Sequence, residues 1–325
     1  MYEDDLKLKE KELKASEFSR IFESIGKNVF WISLGGGEPF LRKDIVEICC
    51  SLDEHCSPPI VHILTNATMP GSIFRKTRQI LTDCDFPILK VNLSLDGVGR
   101  EHDEIRGYPG NFKKFLESYR SLKELKEEFP RLNLGIHTTV STHNIRKMLE
   151  VYECIKSLEP DTFIFEIAEE RKEFLNISSG ITPTVDEYKT LIENLKDRIE
   201  KDYLTKRKGI AKITQALKLE YYKLSLKTLE RKEQVLACYA GFCSCQINAF
   251  GDLWPCSMLA GSKSFGNLRE VDYDFKSIWF SKKANRIRNF IKNKHCYCPL
   301  ASVFYTNMLN FRTLPKVMRR FFMKR

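Results

Sequence analysis

The sequence predicts an α/β protein in two parts, a parallel sheet built from repeated βα units and a small cysteine-rich domain behind it. Three observations carry this. Between residues 29 and 168, short apolar, β-branched runs alternate with stretches long enough to hold crossover helices. Polar and glycine-rich residues cluster directly after those runs, where parallel α/β folds place their sites. Six of the eleven cysteines fall between Cys238 and Cys298.

Taken in order, the strand candidates are Val29 to Leu34, Pro59 to Leu64, Ile88 to Leu95, Leu132 to Val140 and Thr162 to Ile167. Such repetition gives a parallel sheet, either open and doubly wound or curled into a barrel. A Lys-, Glu- and Leu-rich helical stretch runs from about Thr184 to Leu236, opened by the start signals Thr182, Pro183 and Thr184. It covers the open side of the sheet; a coiled-coil partner helix is the competing reading, against which the apolar spacing is irregular. The domain boundaries expected are 1–180 for the barrel, 181–236 for a helical bridge, 237–310 for the cysteine-rich domain and 311–325 for a tail.

At 325 residues and 42% apolar content the chain can bury a core. It has no run of about 18 apolar residues, and Met1 to Lys14 is an alternating-sign stretch without a signal core, which reads as cytoplasmic. The net charge of +10 is spread over helices that also carry 43 acids, which describes a solvated surface. The exception is Lys316 to Arg325, where Arg319, Arg320, Lys324 and Arg325 flank Phe321, Phe322 and Met323. This basic amphipathic segment could touch a membrane surface or an acidic partner, or dock on its own domain.

An odd cysteine count without a secretion signal argues for metal rather than disulfides. Cys49, Cys50, Cys56, Cys84 and Cys154 are scattered and read as small buried hydrophobes. His55, His62, His102, His137, His143 and His295 form no zinc-enzyme spacing and read as surface or core histidines. Asp96 and Asp103 read as turn and helix-cap residues.

Two segments carry chemistry. Gly35-Gly36-Gly37-Glu38-Pro39 follows the first strand; its glycines let a ligand approach the backbone and Glu38 offers a carboxylate to an amine, although a tight βα turn needs no more than this. Ser94-Leu95-Asp96-Gly97 ends the third strand, and Arg106 beyond it supplies a planar donor fork for a carboxylate. Glu38, Ser94 and Arg106 could thus hold both ends of a zwitterionic amino acid.

With these residues the chain resembles the radical S-adenosylmethionine superfamily. Gly36 to Pro39 resembles its Gly-Gly-Glu-Pro segment, Thr65-Asn66 its Thr-Asn pair, and Ser94 to Gly97 its Ser-Leu-Asp-Gly strand end; Ala67 stands where a glycine is usual. Cys238, Gly251, Cys256, Gly266-Asn267 and the Cys296-Tyr297-Cys298 end resemble a SPASM or Twitch auxiliary domain. The resemblance implies a partial (βα)6 parallel barrel with its first strand missing, and S-adenosylmethionine held by Gly36, Gly37, Glu38, Asn66, Ser94 and Arg106. It also implies an auxiliary 4Fe-4S cluster on Cys238, Cys256, one of Cys243 and Cys245, and one of Cys296 and Cys298. A structural zinc site on the same sulfurs is the alternative.

The resemblance further implies a 5′-deoxyadenosyl radical that abstracts hydrogen from a peptide or small-molecule substrate, with an electron-donor protein as partner. The family's Cys-x3-Cys-x2-Cys segment, which precedes the glycine-rich strand, does not occur before Gly35. The expectation is therefore a truncated chain that is inactive as written, or else a degenerate, non-catalytic iron–sulfur binding or scaffold protein. A zinc-containing basic nucleic-acid binder is disfavoured, because residues 238 to 268 hold only Lys263 of the basic class.

Overall fold

The structure, a computed structural model, describes residues 10–171, 176–204 and 209–308. A helix α1 (Ala15–Ile25) leads into five strands, β1 (Trp31–Leu34), β2 (Ile60–Thr65), β3 (Ile88–Ser94), β4 (Leu132–Val140) and β5 (Thr162–Ile167). They form one parallel sheet in sequential order. Helices α2 (Ile45–Cys56), α3 (Pro70–Asp83), α4 (Arg100–Arg106), α5 (Asn111–Glu128) and α6 (Met148–Leu158) make the connections. The expected strand bounds hold at β4 and β5. β1 starts two residues late, at Trp31, because it is an edge strand paired only along its run with β2.

The two faces of the sheet differ in chemistry, as the two-residue period of a strand requires. Val61, Ile63, Leu89, Val91, Leu93, Leu134, Ile136, Phe163 and Phe165 lie on one face and are buried in the main core with the helices. The other face carries Ser33, His62, Lys90 and Asn133 in one register row, and Ser94 and His137 in another. Gly135 belongs to this polar face, and a Cβ there would meet Asn92 Oδ1 at 1.8 Å, so the strand can pass that amide only without a side chain.

The helical bridge begins as expected at Thr184, whose hydroxyl accepts from Glu187 N (3.3 Å) while Glu187 Oε2 accepts from Thr184 N (3.1 Å). It comprises α7 (Val185–Ile199) and, after a π-turn at Glu200–Leu204, α8 (Gly209–Arg231). α8 covers the β5 edge: Phe165 N donates to the buried Tyr222 hydroxyl at 3.1 Å, so the edge strand finds a partner there.

The C-terminal region holds a three-stranded antiparallel sheet, β6 (Gln246–Ile247), β7 (Asp252–Trp254) and β8 (Gly266–Asn267), with helices α9 (Phe275–Trp279), α10 (Lys282–Lys292) and α11 (Ala301–Met308). The β6–β7 turn closes on Asn248, whose Oδ1 accepts from Phe250 N and Asp252 N, and Gly251 there has φ +91°. Asn267 ties the turn to β8 by donating to Phe250 O and Asp252 Oδ1. Arg288 holds the remainder, donating to Gly241 O and Trp279 O with its guanidinium 4.5 Å from the Trp279 ring centre.

α1 joins the two regions. Ala15 and Phe22 pack into the barrel core, while Leu13 and Ile21, both fully buried, belong to the second core with Leu253, Phe265 and Leu268. Leu13 N donates to Ala249 O at 2.7 Å, and Glu17 accepts from Arg269 (2.7 and 3.0 Å) and the Tyr273 hydroxyl (2.6 Å). No helix among the described residues is long and apolar enough to cross a membrane. The basic tail, Lys316 to Arg325, lies outside the described residues.

The Glu17 clamp generates a prediction. The hydrogen bond from Arg269 draws its carboxyl down to about 2, so its stabilisation is complete above the ordinary carboxylate range and is lost as pH falls from about 4.5 toward 2. Glu17→Gln should cost about 1–2 kcal/mol at pH 7, after allowance for partial solvent screening. The difference should vanish near pH 2, as read by urea unfolding across that range.

Candidate functional site

The site is built at the C-terminal ends of the strands. Glu38, in the loop after β1, is buried; its Oε1 accepts from the Thr65 hydroxyl (2.9 Å) and Phe40 N (3.1 Å), and its Oε2 from Asn66 N (2.7 Å). Burial pushes its acidity toward weaker acid, and these three donors oppose that. Glu38 therefore clamps the loops after β1 and β2 together. Gly36, at φ +120°, and Gly37 leave the adjoining backbone open, with nothing within 4 Å of where a Cβ would stand.

Asn66 engages its own turn: its side-chain Oδ1 accepts from Thr68 N (3.0 Å) and the Thr68 hydroxyl (2.7 Å). Ala67 follows at φ +61°, buried and left-handed, which explains why a glycine suits this position. Arg106 Nε lies 2.8 Å from Asp96 Oδ2. Asp96, buried, also accepts from Thr139 N (2.8 Å), while its carbonyl accepts from Asn144 Nδ2 (2.8 Å). Asp96 thus ties β3, β4 and α4 together instead of serving as a simple turn residue. Asp103 does cap, accepting from Gly110 N and Phe112 N at 2.7 Å each. Gly97 is required for close approach, since a Cβ there would lie 2.8 Å from His102 N.

Cys238, Cys256, Cys296 and Cys298 line one cavity, walled by Val235, Leu236, Leu259, Ile291 and Phe304. Burial raises all four thiols, Cys256 to about 11, and neighbouring sulfurs add to the effect at Cys256, Cys296 and Cys298. Cys243 and Cys245 lie outside that lining, on an exposed turn closed by Gly241 N and Ser244 O. The expected pairing of one cysteine from each doublet thus differs from the lining, which includes both Cys296 and Cys298. Among the described residues no three His, Cys, Asp or Glu groups are gathered closely enough for a single metal ion. A tetrahedral zinc site holds its sulfurs about 3.8 Å apart, whereas a cluster holds its thiolates further apart.

Two of the histidines that read from the sequence as surface or core residues, His62 and His137, face the polar interior of the barrel. His137 Nε2 lies 2.9 Å from Glu166 Oε2, and Glu166 Oε1 accepts from Ala301 N at 2.7 Å. Burial works against ionising Glu166, but His137, Ala301 N and Arg171 outweigh it and its acidity is strengthened. Ala301 is three residues past Cys298, and Tyr221 on α8 holds the intervening Pro299 carbonyl at 3.0 Å, so the cysteine cavity adjoins the barrel interior. The available signal was the polar residue at alternate positions of strands otherwise apolar.

Residues 5–155 match the radical SAM superfamily and residues 238–299 the SPASM iron–sulfur cluster-binding domain. Residues 5–155 thus carry the radical SAM pattern and residues 238–299 the SPASM pattern. The two patterns together define the SPASM type of this superfamily, a class whose cofactors are S-adenosylmethionine and 4Fe-4S clusters. It is 26% identical to an AdoMet-dependent heme synthase of Methanosarcina barkeri over 82% of this chain and 72% of that protein. It is 25% identical to the PqqA peptide cyclase of Bradyrhizobium diazoefficiens over 58% of this chain and 48% of that one. Among solved structures, native anSMEcpe with bound AdoMet and Kp18Cys peptide superimposes with a TM-score of 0.62 at 18% identity, covering 86% of this chain and 75% of that one. The five parallel strands and the C-terminal domain are the fold that the resemblance implied.

The turn after β2 yields a test. Ala67→Gly should stabilise the chain by about 1 kcal/mol, because glycine adopts the left-handed conformation without the Cβ penalty. A raised urea midpoint with an unchanged slope is the expected result.

Proposed function

We propose that this chain is of the radical S-adenosylmethionine maturase kind, for a peptide or small-molecule substrate and with an electron-donor protein as partner, and that its 325 residues hold the cofactor and the auxiliary cluster without cleaving the cofactor by themselves. The observation that carries the reading is the joint placement of a buried, clamped carboxylate at the barrel rim and four cysteine sulfurs around a single neighbouring cavity. Gly36, Gly37 and Glu38 would receive the cofactor's amino group, Arg106 its carboxylate, and Asn66 and Ser94 the rest of its polar edge. Glu38 Oε2, which among the described residues accepts only from Asn66 N, keeps a second lone pair as the acceptor for that ammonium. Cys238, Cys256, Cys296 and Cys298 would ligate the auxiliary 4Fe-4S cluster. When bound, the cofactor supplies the radical chemistry by which its class abstracts hydrogen.

The 325 residues contain no Cys-x3-Cys-x2-Cys spacing, so the reading assigns to them the holding of cofactor and auxiliary cluster. Anaerobic reconstitution followed by iron and sulfide analysis tests it. Iron and sulfide for one cluster are expected, lost in Cys238→Ala and Cys256→Ala but retained in Cys243→Ala and Cys245→Ala. Incubation with dithionite and S-adenosylmethionine should yield no 5′-deoxyadenosine from these residues alone. Zinc in place of iron, or cofactor cleavage by this chain, would overturn the assignment. Iron with no affinity for S-adenosylmethionine would favour a non-catalytic cluster-binding protein instead.

A further inference from the structure

The polar interior face of the sheet contains a set of donors without acceptors. Trp31 Nε1 donates to Ser33 Oγ at 2.9 Å, so the Ser33 hydroxyl hydrogen is free for His62 Nδ1, 3.2 Å away. With the Ser33 hydroxyl donating in this way, Nδ1 is the acceptor and the ring proton of neutral His62 stands on Nε2. His62 is only 9% exposed, and its Nε2 has no hydrogen-bond partner among the described residues. A buried N–H without an acceptor is costly, and a ligand oxygen removes that cost.

Lys90 stands beside His62 in the same register row, half-buried, its ammonium 5.8 Å from the Trp31 ring centre. It makes no ion pair among the described residues. The one carboxylate whose charge reaches it, Asp161, is already engaged by Lys126 at 2.5 Å and by Leu134 N at 2.8 Å. Burial lowers the Lys90 ammonium to about 8, and burial together with the charges of Lys90 and His137 lowers His62 to about 3. Lys90 thus stays largely cationic at neutral pH while His62 stays a neutral donor.

We propose that Lys90 and His62 form a binding site for a carboxylate group of the substrate, one oxygen on the Lys90 ammonium and the other on His62 Nε2–H. A monoanion matches one full positive charge and one neutral donor. The strand residues of this face include no arginine, so a dianionic phosphate would find too little charge. The position lies inside the barrel, below the rim where the cofactor is proposed to bind, and the inference deepens that reading by naming a substrate class.

The test is a titration of the full chain, without cluster or cofactor, using propionate as the probe and propionamide as its uncharged control. The His62 Nε2 resonance, assigned by its disappearance in His62→Asn, reports binding in nitrogen-detected imidazole NMR. Propionate should shift that resonance and propionamide should not. Lys90→Met should weaken propionate binding about tenfold or more, and Lys90→Arg should restore most of it, which separates charge from folding. A propionate response that is absent, that survives Lys90→Met unchanged, or that propionamide and methylphosphonate reproduce would overturn the inference. Iron and cofactor play no part in this readout, so a chain that binds propionate but no iron sinks the proposed function alone, and the reverse result sinks only this inference.

Discussion

The separation of the sheet into one apolar and one polar face is the constraint on which the rest of the molecule depends. A parallel sheet ordinarily buries both faces under helices, and its strands then read as continuous apolar runs. Here one face departs from that rule at several positions: Ser33, His62, Lys90, Asn92, Asn133, His137 and Glu166 face away from the helices. Helices α2 to α6 can therefore pack on one side only, and the other side must remain a lined interior. Gly135 shows how closely that interior is fitted, since only hydrogen can stand opposite Asn92.

An interior of this kind needs its edges and its rim managed. The β5 edge is met by Tyr222, and the rim is fixed by two buried carboxylates that act across loops. Glu38 joins the loops after β1 and β2, and Asp96 joins the ends of β3 and β4 to Arg106. Each carboxylate accepts several charge-assisted hydrogen bonds, which oppose the cost of burying it. The rim residues are held by the protein before any ligand arrives, which is the arrangement that positioning chemistry requires.

The second region depends on the first through two short connections. α1 divides its apolar residues between the two cores, and the segment from Cys298 to Ala301 passes from the cysteine cavity to Glu166 on the barrel wall. The four cysteines sit in apolar surroundings that hold them as thiols, and an iron cluster would compensate the thiolates through its own positive charge. The auxiliary domain is small, and Arg288 with Trp279, Phe265 and the Gly241 carbonyl supplies part of the order that its short strands do not.

How much of this was legible follows from the range of each interaction. Strand positions, the helix start at Thr184 and the glycine-rich and Ser-Leu-Asp-Gly segments were readable because periodicity and capping act over a few residues. The double role of α1 was not, because Leu13 and Phe22 choose different cores only once residues 249–273 have folded against them. Nor was the histidine at position 62 separable from a core residue, since its orphaned Nε2 is defined by Ser33 on the neighbouring strand. Which cysteines share a cavity was likewise beyond spacing, for Cys243 and Cys245 lie near Cys238 in sequence but outside the cavity that Cys296 and Cys298 line. The sequence by itself determined the elements and the fold class through local pattern; the tertiary structure alone decided which side chains meet, because those contacts join residues tens to hundreds of positions apart.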